Sequence, residues 1–599
     1  MQTRSPFSAK KVGFGAVMVL IPILVLCVFE IGLRMAGVGE ERRSFLRALN
    51  ASETTVAVNP ALGARYFNGF VPSVAFNPID AEKGENTLRI VVLGGSSAAG
   101  FPYQFYYGFP EAMRRQLSSA LPHHELEVMN LGMTAVNSYT LWDLRDEVSD
   151  LNPDLVLIYA GHNEFYGAFG AGSAIYGLGG RPSLKRLILR LKNLAMVSAI
   201  ESLAAPEAGD PNAQSGGDSD RTLMARVVRE SSIPFEGEVY SRGVRQYRDN
   251  VGDVLDHFES KGIPVLMGTL VANLADQRPL GDSEVAREAY ELGDSADCPD
   301  VACKKRAFQT ARDLDDIRFR APGAINDQIL AFENRDGVHV VDLRPVFESA
   351  SETGIPGYDL FVDHLHPTQP GYELMGASFA EGVIGILQLE ASEDEWPTGA
   401  ALDPLEKTHS DLLIQRLLAD YPFVKNRSRE DMTRISDALV QRYRSGGEMD
   451  SIAAALVSSP LTVSGGLAAA IGHRRGAPIS EQDLRLYEAL FYWQPFNGTL
   501  MKGVISDAME ITAFDSLTVR LAALAAHLQE DGFYWDAMGA VSLRRGKERA
   551  ASRALNRAEA INPQSSTMLF NQARLHLQRG DTLTAQQYFE RFQAVAQGQ

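Results

Sequence analysis

The stretch Leu88-Arg89-Ile90-Val91-Val92-Leu93-Gly94-Gly95, running on into Ser96-Ser97-Ala98-Ala99-Gly100, decides the fold of this chain. Its apolar run is continuous rather than alternating, as in a strand covered on both faces of a parallel sheet. Four further runs read the same way: LEVMNLGM (126–133), LVLIYAG (155–161), PVLMGTL (264–270) and VHVVDL (338–343). Amphipathic segments such as 109–120 and 243–261 lie between them. This rhythm predicts an α/β domain with a doubly wound parallel sheet. Ligands of such sheets bind beyond the carboxyl ends of the strands, so chemistry is expected at the strand-to-loop junctions.

With 599 residues the chain is too long for one compact core. The balance of 57 basic against 75 acidic residues gives a net charge of −18, which argues against nucleic acid or an anionic lipid surface as the main partner. Three cysteines are too few for a disulfide scaffold and lack the paired spacing of a structural zinc site.

Residues 12–29, VGFGAVMVLIPILVLCVF, carry no charge and follow Arg4, Lys10 and Lys11. The length and the basic flank predict an uncleaved signal anchor over 12–36, with 1–11 cytoplasmic and the bulk outside. A bacterial inner-membrane protein with a periplasmic body is the matching location. The rival is a cleaved signal peptide, for which Gly37-Val38-Gly39 is the one weak cut site. A lipoprotein would use Cys27, but Leu26 before it is too large. In an oxidising space Cys298 and Cys303, five apart, are read as a short loop disulfide, or else as two free thiols. Beyond the anchor we expect a stalk or linker over 37–87, the α/β domain over 88–392, a helical region over 393–531 and repeats over 532–599. Segments 404–420, 429–445, 480–493 and 515–530 show helical periodicity. Segment 183–203 places Leu184, Leu187, Ile188 and Leu191 on one face, with Lys185, Arg186, Arg190 and Lys192 around it. It reads as a helix packed on its own domain or lying on a membrane surface.

Chemistry is concentrated in four blocks. Gly94-Gly95-Ser96 ends the first strand, Asn130-Leu131-Gly132 the second and Gly161-His162-Asn163-Glu164 the third, while Asp363-His364-Leu365-His366-Pro367 precedes a helical stretch. A serine exposed at a strand-to-helix turn becomes a nucleophile when a histidine takes its proton and a carboxylate orients that histidine. No P-loop or dinucleotide glycine pattern is present, so nucleotide binding has little support.

Serine, glycine, asparagine and histidine in this order resemble the SGNH (GDSL-like) hydrolase superfamily over about 88–390. The resemblance implies a three-layer, flavodoxin-like fold and a serine esterase without metal or organic cofactor. It implies Ser96 as nucleophile, His366 as general base and Asp363 as its orienting acid. Ser96, Gly132 and Asn163 are the implied oxyanion-hole donors. Ser97 and His364 are the alternatives that the block spacing disfavours. Gly95 replaces the usual aspartate, Glu164 stands where aspartate is usual, and His162 is an added titratable group. The substrate implied is an acyl ester, with acylated envelope glycans as one family-typical class. An acyltransferase using the same site, or a silent scaffold recruiting partners through the tail, are the alternatives. Phe101, Tyr103, Phe105, Tyr106, Tyr107 and Phe109 line a pocket or pack the core, and Asp315–Pro322 is expected to fold over the site. His123 and His124 are read as solvated. Near the end, Trp535, Gly539, Gly546, Ala551, Leu555, Ala558 and Pro563 resemble the 34-residue tetratricopeptide spacing, repeated less completely over 566–599. This implies stacked helix pairs and a protein partner of unspecified kind.

Overall fold

A computed structural model describes residues 9–49, 54–67, 71–103, 107–174, 181–204, 223–229, 232–392, 404–425, 428–447, 450, 453–454, 498–528 and 531–597. The expected helix over 480–493 lies outside these residues, as do Phe105 and Tyr106.

Five strands, β1 (Thr87–Gly94), β2 (Glu125–Asn130), β3 (Leu155–Tyr159), β4 (Val265–Gly268) and β5 (Val338–Val341), form a parallel sheet in the order β2-β1-β3-β4-β5. In register, Ile90 lies between Val128 and Leu155, and Val265 between Val156 and Val338. All eight residues of β1 and all five of β3 are buried, which is why both read as continuous apolar runs.

Handedness assigns the layers. The step from β1 to β2 through α1 (Phe109–Ala120) runs one way along the sheet. The steps through α2 (Ser138–Asp150), α3 (Glu238–Ser260) and α4 (Gly323–Phe332) run the other way. Right-handed crossovers then place α1 on one face and α2, α3 and α4 on the opposite face. The contacts agree: α1 packs on α5 (Gln369–Leu387), while α3 packs on α2 and α4. Phe379 of α5 closes the first layer, its ring 5.0 Å from Phe109 and 6.4 Å from Tyr159. The order reverses between β1 and β3, and the crevice at their carboxyl ends is where such sheets hold ligands.

The segment read as a stalk is structured. Leu46–Ala48, Thr55–Val58 and Ile79–Asp80 form a small antiparallel sheet. Alternation along its middle strand splits the burial: Val56 and Val58 join the α/β core, whereas Ala57 packs with Met501, Val504, Phe514 and Leu521 of the C-terminal helices. Arg65 clamps this segment to α2, its guanidinium 2.8 and 2.7 Å from the two carboxylate oxygens of Glu147. Beside it, the Tyr66 hydroxyl donates to Asp143.

The N-terminal helix runs Ala9–Met35. Most side chains of its first half fall outside the described ones, and among the described residues no helix is long and apolar enough to cross a membrane. Segment 183–203 is not one helix but two, Pro182–Lys192 and Ala195–Ala204. Glu30 of the N-terminal helix accepts from the Ala195 and Met196 N–H groups and so caps the second. The faces of the first helix are also inverted relative to its polarity. Lys185 is buried and donates to the Phe169 carbonyl at 2.6 Å, while Leu184, Leu187 and Leu191 are 38%, 50% and 42% exposed.

The tail holds helix pairs Gly532–Arg544 with Glu548–Ile561 and Ser566–Gln578 with Thr582–Ala596. Gly539 allows the first pair to close, since a Cβ there would lie 2.5 Å from Leu555.

Replacing Arg65 by Met should strand two carboxylates, one of them buried, and destabilise the protein by about 3 kcal/mol. Denaturant unfolding measures this, and an unchanged midpoint would mean that the Arg65 clamp on α2 adds nothing to stability.

Candidate active site

The four blocks converge although Ser96 and His366 are 270 positions apart. Ser96 opens a one-turn helix after β1, Asn130 and Gly132 follow from the end of β2, and His162 and Asn163 lie just past β3. His366 comes from the loop that leads into α5. The Oγ of Ser96 lies 2.7 Å from Nε2 of His366, and Nδ1 of His366 lies 2.6 Å from Oδ2 of Asp363. The other carboxylate oxygen of Asp363 accepts the N–H groups of Leu365 and His366 at 2.9 and 2.8 Å. Burial pushes the Asp363 carboxyl up, but the His366 and His364 imidazoles beside it outweigh that. The net result holds the group well below the usual carboxylate range, so it is ionised at neutral pH.

The alternatives separate cleanly. The hydroxyl of Ser97 is buried with no hydrogen-bond partner among the described residues, so it makes no bond to His366. Nδ1 of His364 is 3.3 Å from Asp363 without hydrogen-bond geometry. The Phe101 ring packs 4.6 Å from the His366 ring, fixing its plane.

Glycines set the close approaches. A Cβ on Gly95, the position of the missing aspartate, would lie 2.8 Å from Nδ2 of Asn163, so the bare backbone makes room for that amide. A Cβ on Gly132 would lie 2.4 Å from the Ala99 nitrogen, so Gly132 lets the β2 loop press on the serine turn. Its N–H, expected in the oxyanion hole, donates instead to Oδ1 of Asn130 at 2.8 Å. Nδ2 of the same Asn130 donates to the Ala98 carbonyl, tying β2 to the turn.

Two residues flanking Asn163 serve structure. Glu164 points away into a buried network, accepting from the Ser138 N–H and hydroxyl and from Gln246. Burial pushes its carboxyl up to about 7 against those hydrogen bonds, and burial lowers the nearby Lys185 amine to about 8. His162 accepts from the Ala321 N–H at 3.2 Å. Burial, helped by His364 and His366, lowers it to about 3, so it is neutral. Segment 315–322 therefore does border the site, through Ala321 and through Phe319, whose ring is 6.1 Å from His364.

Asn273, which the sequence reading missed, anchors the histidine loop. Its side chain donates to the Asp363 carbonyl and its N–H to the His364 carbonyl. It lies just beyond β4 with no motif around it. Buried Cys298 is joined in a disulfide to Cys303, in the first turn of helix Val301–Leu314, and Cys27 is free.

Among the described residues, only Asp363, His364 and His366 bring three metal-ligating atoms within 4.8 Å of one another. Two of those residues already bond each other, so a cation there would break the Asp363–His366 contact.

Residues 92–374 match the GDSL-like Lipase/Acylhydrolase family. This segment is an SGNH-type ester hydrolase domain. Matching solved structures include a lipase/acylhydrolase from Enterococcus faecalis, at 17% identity over 51% of this chain and 99% of that one, with a TM-score of 0.26. An acetyl xylan esterase matches at 14% identity over 50% of this chain and 100% of that one, with a TM-score of 0.26. A two-domain esterase active on acetylated mannans matches at 12% identity over 53% of each chain, with a TM-score of 0.24. No curated protein is similar enough to count as a match.

The Glu164 network makes a pH-dependent contribution to the SGNH domain. Between about pH 4.5 and 7 the folded state holds a proton that the unfolded chain has released. The contribution of Glu164 to stability thus falls as pH rises through that window and is level above it. In Glu164→Gln the fall across the window should shrink by an amount of order 3 kcal/mol. Denaturant titrations from pH 4.5 to 8 measure it, and parallel pH profiles for both proteins would contradict the assignment.

Proposed function

We propose that this ester hydrolase works through Ser96, His366 and Asp363 from the outer face of a membrane. The observation that carries the catalytic part is the unbroken hydrogen-bond chain from Ser96 Oγ through His366 to buried Asp363. Nε2 of His366 takes the hydroxyl proton as Oγ attacks the ester carbonyl carbon. Asp363 accepts Nδ1–H, which fixes the tautomer and stabilises the imidazolium. The alkoxide oxygen of the tetrahedral intermediate faces the Asn163 amide and the Ser96 N–H. The intermediate collapses, the alcohol leaves with the proton from His366, and the acyl group stays on Ser96. Water, deprotonated by the same histidine, then releases the acid. Gly132 joins the oxyanion donors only when its bond to Asn130 opens; otherwise it acts by permitting close packing.

Anchoring is supported by the charge-free stretch 12–29 behind a basic flank. It is also supported by the exposed leucines of Pro182–Lys192, a helix whose junction with the next is capped by the N-terminal helix. The disulfide fits an oxidising compartment. An acylated envelope glycan as substrate rests on the superfamily resemblance. The tail pairs carry tetratricopeptide-like spacing and expose Phe570, Leu577 and Leu583, which supports a role in holding a protein partner.

Full-length protein should hydrolyse a short-chain aryl ester. Ser96→Ala should lower kcat/KM by at least about 10³-fold and Asp363→Asn by about 10⁴-fold, with folding intact. An undiminished rate in Ser96→Ala would move the chemistry elsewhere. Gly95→Ala tests the second half of the site. The added methyl should displace the Asn163 amide and lower kcat by about 10²–10³-fold, KM changing far less. Equal kcat would remove Asn163 from the oxyanion hole.

A further inference from the structure

A cavity of about 210 Å³ opens beside Ser96, Asn163 and His366. Its walls are mainly apolar: Phe101, Tyr166 and Phe319 come from the α/β domain and Met224 and Val227 from a separate short segment, with Thr134 and His364 beside them. A further wall is formed by Leu413 and Leu417 of helix α6 (Pro404–Leu418) and Met432 of α7 (Arg429–Arg444). These three lie beyond the family-matched segment, which ends at 374. The helical region is thus part of the site.

The contact is built rather than incidental. The chain leaving α6 returns to the α/β core, where Tyr421 and Phe423 pack, and the Phe423 ring lies 5.3 Å from His364. Lys425 pairs with Asp282 at 2.6 Å. Leu417 is largely and Met432 almost wholly buried. Arg416 also lines the cavity and already has an interaction of its own.

An apolar recess leaves the hydroxyls of a sugar unpaired, so it holds the hydrocarbon part of the ester. During turnover the alcohol must leave and water must enter, whereas the acyl group stays bonded to Ser96. A roofed recess suits the group that stays. We propose that α6 and α7 close an acyl-chain pocket, making Leu413, Leu417 and Met432 the determinants of a preference for esters of medium-chain acids over acetates. This rests on Ser96 being the nucleophile.

The test is kcat/KM of the full-length protein on 4-nitrophenyl acetate, butyrate, hexanoate and octanoate, with a parallel series of acetates of lengthening aliphatic alcohols. The wild type should gain up to about fourfold per acyl methylene until the pocket is full, and little along the alcohol series. Leu417→Trp, which fills the pocket, should lower the hexanoate-to-acetate ratio by at least about tenfold. Met432→Ala, which enlarges it, should move the optimum to longer acids; circular dichroism verifies the fold of both. A flat or falling acyl series, a rise along the alcohol series instead, or a ratio that neither folded variant alters would overturn the pocket. Turnover that does not depend on Ser96 would overturn the nucleophile assignment and leave the pocket without its premise. Ser96-dependent turnover with no chain-length effect would keep the hydrolase and reject the pocket.

Discussion

The buried carboxylate of Asp363 is the constraint on which the rest of the site depends. A charge taken out of water is costly unless every lone pair finds a donor. Here two backbone N–H groups and the His366 ring supply three donors, all from Leu365 and His366, two and three residues on in the chain. The same bonds that keep Asp363 ionised therefore shape the loop, and the loop aims Nε2 at Ser96. Asn273 secures this loop from β4, so the histidine is held by the sheet although it sits outside it.

Opposite the loop, the serine turn is positioned by the absence of side chains. Gly94 lets β1 approach the Tyr159 carbonyl, Gly95 admits the Asn163 amide and Gly132 brings the β2 loop against Ala98 and Ala99. Asn130 then spans the gap with one donor and one acceptor. Ser96, Gly132 and Asn163 reach one place because three strands end there at the point where sheet order reverses, and the Asp363–His366 loop brings the imidazole to them.

Much of this was legible in the sequence. The five strands were, most clearly β1 and β3, since a strand buried on both faces must be largely apolar throughout, while the edge strands β2 and β5 keep enough of the pattern to be read. The meeting of Ser96, His366 and Asp363 was, because a serine after β1 and a D-x-x-H block are informative in company. What stayed hidden depends on partners distant in the chain. Gly132 matched a donor role, but whether its N–H is free is decided by the rotamer of Asn130. At Gly95, where aspartate is usual, the space a side chain would take is filled by the amide of Asn163, a partner distant in the chain. Polarity predicted Lys185 on the outside; the carbonyl of Phe169 and the network around Glu164 reverse that, and leave leucines exposed. The role of α6 and α7 beside the site had no local signal, because their cavity-facing residues are ordinary helix-core leucines and methionine.

The central claim is that Ser96, and not its neighbour, is activated by His366. A fluorophosphonate reacts with a serine whose proton a base removes. Full-length protein should be labelled stoichiometrically, peptide mass spectrometry should place the phosphonyl group on Ser96, and His366→Ala should abolish labelling in a folded protein. Labelling at Ser97, or labelling that persists at Ser96 without His366, would contradict the account.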